Sequence, residues 1–219
     1  MAVTQRPDRV SDMAWERGER SAPHGIVGRA PRAAVFLDKD GTLIEDVPYN
    51  VDPDLIRLTD GAADGLRALH AAGYLLIVVS NQSGVARGYF EEGALVGVER
   101  RLRALLGEAG ATLAGFYYCP HHPEGGVDVY AVACICRKPA AGLIERAARE
   151  HGVDLARSWL IGDILHDVEA GRRAGCRTIL LDVGHETEWE LTADRTPDIV
   201  AGSLLDAAHV ILNMPVAGR

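Results

Sequence analysis

The sequence predicts an α/β fold, a Rossmann-like parallel β-sheet with helices on both faces. Three observations support this prediction. From Ala33 onward, short apolar runs alternate with segments that have helical periodicity. The run from Leu75 to Ser80 has the continuous hydrophobicity of a strand that is buried on both faces. Polar side chains follow several predicted strands, at the sheet edge where open α/β proteins bind their ligands.

Strands and helices are predicted to alternate along the chain. Each helix is predicted from apolar residues spaced along one face, and each strand from a short apolar or β-branched run. Ala62, Leu66 and Leu69 mark the first helical face, and Pro139 fits just before or at the start of the third helix. The elements predicted in chain order are a strand at 33–37, a helix at 61–72, a strand at 75–80, a helix at 92–106, a strand at 115–119, a helix at 141–151, a strand at 159–161, a helix at 164–174, a strand at 178–182, an edge strand at 199–201 and a closing helix at 204–212.

The composition argues against several classes of function. A chain of 219 residues suits one α/β domain. The net charge of −8 and the lack of a lysine- or arginine-rich stripe argue against nucleic acid as a substrate or partner, yet leave room for a small anionic substrate. No apolar run approaches the ~20 residues of a membrane span, and no signal peptide is evident. We therefore expect a cytoplasmic monomer without a membrane partner.

Two segments depart from the alternating pattern. Residues 1–31 are polar and arginine-rich, which predicts a flexible N-terminal tail or an overlong start with Met13 as the alternative first residue. Acidic residues in this segment argue against a targeting sequence. We expect a single domain over 32–214, interrupted by a loop at 119–136 that has no helical pattern. A loop of that length in a compact domain usually carries function or needs a staple.

Acidic, hydroxyl and lysine side chains stand at four points beside the predicted elements. Asp38 and Asp40 follow the first strand, and Ser80 ends the second. Lys138 precedes the third helix, and Asp163 follows the fourth strand. Each of these residues alone is consistent with a turn, a helix cap or a solvated charge. Their coincidence in this order indicates an active site.

This set of residues suits phosphoryl transfer. Two acids as close as Asp38 and Asp40 imply a bound cation or a carboxyl group with a raised pKa. Asp38 can attack phosphorus to form an aspartyl-phosphate, while Asp40 protonates the leaving oxygen and then activates water. Mg²⁺ would be held by the side chains of Asp38 and Asp163 and by the backbone carbonyl of Asp40. Ser80 and Lys138 would bind the transferring group.

Cysteine and histidine residues cluster in the long loop. Cys119, His121 or His122, Cys134 and Cys136 offer three thiolates and an imidazole, a ligand set that tetrahedral zinc takes readily. Four protein ligands leave no position for water, so the zinc would be structural and would hold the loop in place. Free buried thiols or a redox pair are the alternatives. The spacing alone does not decide between the two histidines.

The phosphoryl-transfer motifs resemble those of the haloacid dehalogenase superfamily of phosphohydrolases. The resemblance runs from about Ala33 to Leu212. It rests on Asp38-Lys39-Asp40-Gly41-Thr42, Ser80-Asn81, Lys138 and Gly162-Asp163. It implies a Rossmann-like fold and the two-step mechanism through an aspartyl-phosphate. Members usually owe their specificity to an inserted cap, but here the spacing from Gly41 to the second strand leaves no room for a cap domain.

The loop motifs narrow the resemblance to one family. Cys-Pro-His-His-Pro at 119–123, Cys-Ile-Cys-Arg-Lys-Pro at 134–139 and Asn-Gln-Ser-Gly-Val-Ala-Arg-Gly at 81–88 resemble those of the D-glycero-D-manno-heptose 1,7-bisphosphate 7-phosphatases. The zinc ligands that this resemblance implies are Cys119, His121, Cys134 and Cys136. It also implies that Arg137 recognises the substrate, since a guanidinium suits a second phosphate or sugar oxygens. The other substrate contacts that it implies are Asp46, Val47, Pro48, Tyr49, Ser80, Asn81, Gln82, Ser83 and Lys138.

The sequence therefore predicts a Mg²⁺-dependent hydrolase that removes the 7-phosphate of the heptose bisphosphate. That product would feed nucleotide-activated heptose for bacterial surface lipopolysaccharide. A histidinol-phosphate phosphatase shares the fold and a similar zinc loop, but such proteins typically lack the Ser-Gly-x-x-Arg-Gly of residues 83–88. A non-catalytic, zinc-stapled binding module is the alternative from another class, and retention of the acids and of Lys138 argues against it.

Two further residues after the fourth strand, Ile164 and Asp167, bear on the site. Asp167, one helical turn beyond Asp163, is predicted either to support the site from behind or to be a solvated helix acid. Family members often carry a lysine directly after the acid that matches Asp163, whereas this chain has Ile164. The anomer of the sugar substrate is therefore left open.

Overall fold

A six-stranded parallel sheet organises residues 30–214, which are the residues that the computed structural model describes. The strands are β1 (Ala34–Leu37), β2 (Leu75–Asn81), β3 (Leu113–Cys119), β4 (Trp159–Gly162), β5 (Arg177–Leu181) and β6 (Ile199–Ala201). The helices are α1 (Ala62–Ala71), α2 (Leu95–Glu108), α3 (Gly142–His151), α4 (Leu165–Ala174) and α5 (Leu204–Asn213). Short 3₁₀ turns lie at Pro53–Leu55, Glu92–Ala94 and Leu155–Arg157. Residues 1–29 of the predicted tail lie outside the described residues, so the predicted division of the chain stays a prediction.

The strand order β3-β2-β1-β4-β5-β6 is that of a doubly wound, Rossmann-like sheet. The chain builds outward from β1 through β2 to β3, and then returns to the other side of β1 to add β4, β5 and β6. β1 is therefore paired on both sides, with Leu37 opposite Val78 of β2 and Ile161 of β4. The strand order reverses between β1 and β4, which is where open α/β sheets bind their ligands.

Helices cover both faces of the sheet because the central strands are apolar on both sides. Val35 and Leu37 of β1 pack in a core cluster that includes residues of α1, α2 and α5. Ala34 and Phe36 of the same strand pack in a second cluster with residues of α3 and α4. All four side chains are fully buried, which explains why β1 lacks the polar-apolar alternation of a half-exposed strand. The predicted fold class is confirmed.

The predicted elements match the structure to within two residues, except at the start of α2. There the predicted first turn of the helix is the 3₁₀ turn Glu92–Ala94. β3 begins earlier than predicted because a register shift beside Leu76 lets Leu113 join the ladder ahead of Gly115. Between Gly41 and β2 the chain forms only one 3₁₀ turn and α1, so the predicted lack of a cap domain is confirmed. None of the described helices is both long and apolar enough to cross a membrane.

Ser158 ties the start of β1 to the loop before β4, and this contact gives a test of the fold. Its buried hydroxyl accepts a hydrogen bond from the N–H of Ala34 at 2.9 Å and donates to the carbonyl of Asp154 at 2.5 Å. Ser158→Ala would leave the buried N–H of Ala34 without a partner, so we expect the free energy of unfolding to fall by about 1–3 kcal/mol. Urea denaturation followed by circular dichroism measures this change. The exposed Thr112→Ala serves as the control and should change it by less than about 0.5 kcal/mol. Equal losses in the two variants would contradict the role of Ser158.

Candidate active site

The carboxyl ends of β1, β2 and β4 bring three predicted site residues together. Asp38 directly follows β1, and its N–H bonds to the carbonyl of Ile161 in β4 at 2.9 Å. Ser80 lies near the end of β2, and Asp163 directly follows β4. All three are less than one-tenth exposed. The residues predicted at the ends of separate strands therefore share one buried region at the reversal point of the sheet.

The turn after Asp38 orients the acid that follows β4. Gly41 has a φ of +79°, and a Cβ at this position would lie only 2.4 Å from Oδ2 of Asp163. Glycine is therefore required both by the backbone conformation and by the close approach. Thr42 Oγ1 donates a hydrogen bond to Oδ1 of Asp163 at 3.1 Å. The Asp-Gly-Thr run thus supplies the turn, the space and a donor that fixes Asp163.

Lys138 is a buried cation in contact with Asp38. Its Nζ donates to the carboxylate of Asp38 and to the carbonyl of Val79, the latter at 3.1 Å, and lies 2.6 Å from Oδ1 of Asp167. The contact with Asp167 is an ion pair without good hydrogen-bond alignment. Burial by itself lowers the pKa of Lys138, but Asp167 and Asp38 more than offset this and raise the pKa above its ordinary value. Asn81 fixes the backbone of Lys138, since its side-chain oxygen accepts from Lys138 N at 3.0 Å and its Nδ2 donates to Lys138 O at 3.1 Å.

Three buried carboxylates surround the end of Lys138. Oxygens of Asp38, Asp163 and Asp167 lie within 4.8 Å of one another. Asp167 is 1% exposed, so the alternative that it is a solvated helix acid is wrong. Burial and Asp38 raise the pKa of Asp163 to about 6, and burial raises the pKa of Asp167 to about 7. When all three carboxylates are ionised, they exceed the single ammonium of Lys138 by two negative charges, so this oxygen-rich group fits a divalent cation.

Asp40 is not part of the group formed by Asp38, Asp163 and Asp167, and it borders a cavity. Lys39 Nζ lies 2.5 Å from its Oδ1, and Gln82 Nε2 donates to its Oδ2 at 3.2 Å and to Ser80 Oγ at 2.8 Å. Burial, opposed by Lys39, raises the pKa of Asp40 above its ordinary value. A carboxyl group with a raised pKa beside a cavity can serve as a general acid. The sequence does not indicate a role for Lys39. Its side chain is only 1% exposed, and this burial depends on tertiary packing alone.

A cavity of about 270 Å³ opens beside Asp40. The residues that line the cavity are Asp40, Asp46, Pro48, Tyr49, Asn81, Gln82, Ser83 and Gly84. All of them except Asp40 and Gly84 are predicted substrate contacts. The predicted contacts that do not line it are Val47, Ser80, Arg137 and Lys138. Tyr49 has a φ of +56° and packs its ring edge-on against Tyr89, with 4.6 Å between the ring centroids, so Tyr89 is a neighbour of the site that the sequence did not indicate.

Four side chains of the long loop form a second cluster, with ligand atoms of Cys119, His121, Cys134 and Cys136 close together. The sulfur–sulfur distances are 3.2, 3.2 and 3.5 Å, and His121 Nδ1 lies 3.3 and 3.6 Å from two of the sulfurs. A disulfide would need about 2.05 Å, whereas a tetrahedron with Zn–S bonds of about 2.3 Å has edges of roughly 3.7 Å. The contact between Cys119 and Cys136 lowers the pKa of Cys136 to about 5 and raises the pKa of Cys119, so the thiols share their protons unequally. The donor set and its spacing fit a structural zinc ion.

His122 lies outside this cluster and contacts Arg87. Its Nε2 lies 3.3 Å from Nη2 of Arg87, and Arg137 Nη1 donates to the carbonyl of His121 at 3.5 Å. Slight burial and the charges of Arg137 and Arg87 lower the pKa of His122. The structure therefore places His121, not His122, among the three thiols. Arg87 belongs to the motif at 81–88, within which no local pattern distinguishes it from its neighbours.

His185 is a further neighbour of the acids that the sequence did not indicate. Its Nδ1 lies 2.7 Å from Oδ2 of Asp163. The next residue, Glu186, accepts a hydrogen bond from the N–H of Leu165 at 2.5 Å, at the start of α4. The segment after β5 has no periodic pattern. Only its place after a predicted strand, at the ligand-binding edge, could have drawn attention to it.

Comparisons with known proteins agree with this geometry. A HAD-hydrolase-like family model matches residues 135–207. A D-glycero-beta-D-manno-heptose-1,7-bisphosphate 7-phosphatase of Haemophilus ducreyi is 40% identical over 177 residues, which cover 80% of this chain and 96% of that protein. A crystal structure from Mesorhizobium loti, described as a HAD-like phosphatase, aligns with a TM-score of 0.72 and 33% identity over 85% of this chain and 90% of that one.

A second solved structure is the D,D-heptose 1,7-bisphosphate phosphatase of B. bronchiseptica, which is complexed with magnesium and phosphate. It aligns with a TM-score of 0.67 and 29% identity over 82% of this chain and 98% of that one. These similarities extend over nearly the full length of the relatives, and the carboxylates and lysine of the site lie together at the carboxyl edge of the sheet. The chain therefore belongs to the D-glycero-beta-D-manno-heptose-1,7-bisphosphate 7-phosphatase family of HAD-like hydrolases.

Proposed function

We propose that this protein is a Mg²⁺-dependent phosphatase that removes the 7-phosphate of D-glycero-D-manno-heptose 1,7-bisphosphate through an aspartyl-phosphate. The observation that carries the proposal is the buried contact of Asp38 with Lys138 at the reversal point of the sheet, beside Asp163. Relatives that match about four-fifths of this chain are named for that reaction. Histidinol phosphate is not favoured as the substrate, because these relatives act on a heptose bisphosphate by name.

In the first step, a carboxylate oxygen of Asp38 attacks phosphorus, and the bond between phosphorus and the sugar oxygen on carbon 7 breaks. Lys138 and Ser80 bind the phosphoryl oxygens during transfer. Asp40, whose raised pKa favours the protonated form, gives its proton to the leaving sugar oxygen. When bound by the carboxylates of Asp38 and Asp163 and the carbonyl of Asp40, Mg²⁺ would offset the repulsion between nucleophile and phosphate.

In the second step, Asp40 acts as a base. Now ionised, it takes a proton from a water molecule that attacks the aspartyl-phosphate, and the bond between phosphorus and Asp38 breaks. Inorganic phosphate leaves and both acids return to their starting states. Lys39, 2.5 Å from Asp40, stabilises the ionised form between the two steps. Asp167 touches neither phosphorus nor sugar in this scheme and positions Lys138.

We also propose that zinc, bound by Cys119, His121, Cys134 and Cys136, has a structural role. The loop that it would close leads directly into Arg137 and Lys138, and Gly142 at the start of α3 bonds to the carbonyl of Ile135 at 3.0 Å. A zinc-bound loop would therefore hold the substrate-recognising arginine and the buried lysine in register with α3. Metal and fold are coupled in such sites, because the ligands come together only in the folded chain.

The remaining parts of the proposal concern the setting of the reaction. Residues 32–214 form the single phosphatase domain. The protein acts in the cytoplasm as a monomer and supplies nucleotide-activated heptose for surface lipopolysaccharide. The lining of the cavity by Asp46, Pro48, Tyr49 and Asn81 to Ser83 supports the predicted sugar contacts.

Steady-state assays with the α and β anomers of the heptose bisphosphate and with histidinol phosphate test the proposed substrate. We expect kcat/KM on one anomer to exceed that on histidinol phosphate by about 100-fold or more, since two or more contacts worth a factor of ten each would be lost. Product analysis should find release of the phosphate on carbon 7. A higher kcat/KM on histidinol phosphate, or release of the phosphate on carbon 1, would contradict the proposal.

The zinc proposal predicts one zinc ion per chain that dialysis against EDTA removes less readily than activating Mg²⁺. His121→Gln should lose this zinc and unfold at a lower temperature, because three thiolates would remain without the fourth ligand. The matched control His122→Gln should keep it, since His122 lies outside the cluster. Elemental analysis and thermal unfolding measure both properties. Equal zinc content in the two variants, or none in the wild type after expression in zinc-replete medium, would contradict the proposed ligand set.

A further inference from the structure

Arg87, His122 and Arg137, here called the cation cluster, come from two segments that dock on each other. Arg87 belongs to the turn after β2, whereas His122 lies in the loop at 119–136, here called the zinc loop, and Arg137 directly follows that loop. The N–H of Val127 bonds to the carbonyl of Ala86 at 2.9 Å. A Cβ at Gly125 would lie 2.7 Å from the same carbonyl oxygen, so the two segments are in close contact. This docking brings the three side chains together.

Donors of Arg87 and His122 in the cation cluster lack acceptors. Glu124 N donates to His122 Nδ1 at 3.1 Å, so in the neutral ring Nε2 carries the proton. Nη2 of Arg87, which can only donate, lies 3.3 Å from that Nε2. Two donors therefore face each other. In addition, Nε of Arg87 is buried without a hydrogen-bond partner.

No carboxylate neutralises the two arginines within residues 30–214. Other arginines of this part of the chain, such as Arg103 and Arg195, pair with glutamates at 2.6 to 2.8 Å. Arg137 has only a long contact, of 3.5 Å, with the carbonyl of His121. Unpaired guanidinium groups set against an imidazole N–H are suited to an anion with several oxygens, because each oxygen can accept from more than one donor.

The cation cluster is continuous along the chain with residues of the proposed reaction site. The N–H of Arg87 bonds to the carbonyl of Ser83, a residue that lines the cavity beside Asp40. Arg137 directly precedes Lys138, whose Nζ contacts Asp38. A substrate that places one phosphate at Asp38 and extends through the cavity can therefore present a second anionic group to the cation cluster.

We propose that Arg87 and His122, together with Arg137, bind the phosphate group of the substrate that is not transferred. This inference rests on the proposed function and adds Arg87 and His122 to the recognition that the sequence assigned to Arg137 alone. The phosphate oxygens supply the acceptors that Arg87 and His122 lack. Because a sugar with one phosphate cannot make these contacts, the cation cluster makes a bisphosphate the better substrate.

Kinetics of Arg87→Gln with two substrates test this assignment. The substrates are the heptose 1,7-bisphosphate and heptose 7-phosphate, which lacks the second phosphate. We expect kcat/KM on the bisphosphate to fall by about 10- to 100-fold, mainly through KM, as for the loss of a hydrogen bond to a charged group. On heptose 7-phosphate we expect less than a twofold change. Arg87→Lys should recover part of the loss, because it restores the charge but not the planar fork.

Arg100→Gln is the matched control, because Arg100 is exposed on α2 and forms no ion pair with the described residues. This variant should leave kcat/KM unchanged on both substrates. An equal loss by Arg87→Gln on both substrates would show a structural role and overturn the inference, as would no loss on either. If the wild-type protein fails to hydrolyse the bisphosphate, the proposed function is overturned. The assignment of the second phosphate to the cation cluster is then overturned as well.

Discussion

The structure depends on a group of charges that water scarcely reaches. Lys138 lies among the carboxylates of Asp38, Asp163 and Asp167, and each of the four residues is less than one-tenth exposed. Buried charges are costly unless they are paired, and removing one partner leaves another uncompensated. The sheet supplies the positions, because β1 and β4 end side by side where the strand order reverses. The same burial that makes this group unfavourable for stability makes it effective for binding a cation and a phosphate.

Two loops that are far apart in the sequence complete the site. The turn at Gly41 brings Thr42 onto Asp163, whereas the zinc loop leads into Arg137 and Lys138. Lys138 is therefore fixed at both ends, by its ion pairs at Nζ and by Asn81 at the backbone. In the proposed enzyme, zinc affects catalysis only through this positioning, while Mg²⁺ acts on the reacting groups. We therefore expect loss of zinc to disturb the position of Lys138, and loss of Mg²⁺ to affect the reacting groups directly.

Much of the fold could be predicted because its signals are local. The apolar run at Leu75 and the helical stripe at Ala62, Leu66 and Leu69 each define an element without reference to the rest of the chain. The acids at strand ends could be grouped because parallel strands end at one edge. The burial of Lys39 and the contact of His185 with Asp163 could not be predicted, since both depend on packing between distant segments. The choice of His121 over His122 followed from the resemblance, and from geometry only once the loop path was known.

The central claim is that one divalent cation balances the buried acids so that Asp38 can accept a phosphoryl group. A crystal structure with Mg²⁺ and beryllofluoride, which mimics an aspartyl-phosphate, tests it most directly. We expect beryllium bonded to a carboxylate oxygen of Asp38, Lys138 in contact with the fluorides, and Mg²⁺ bound by Asp38 and Asp163. Beryllofluoride on another side chain, or Mg²⁺ bound away from Asp163, would contradict it.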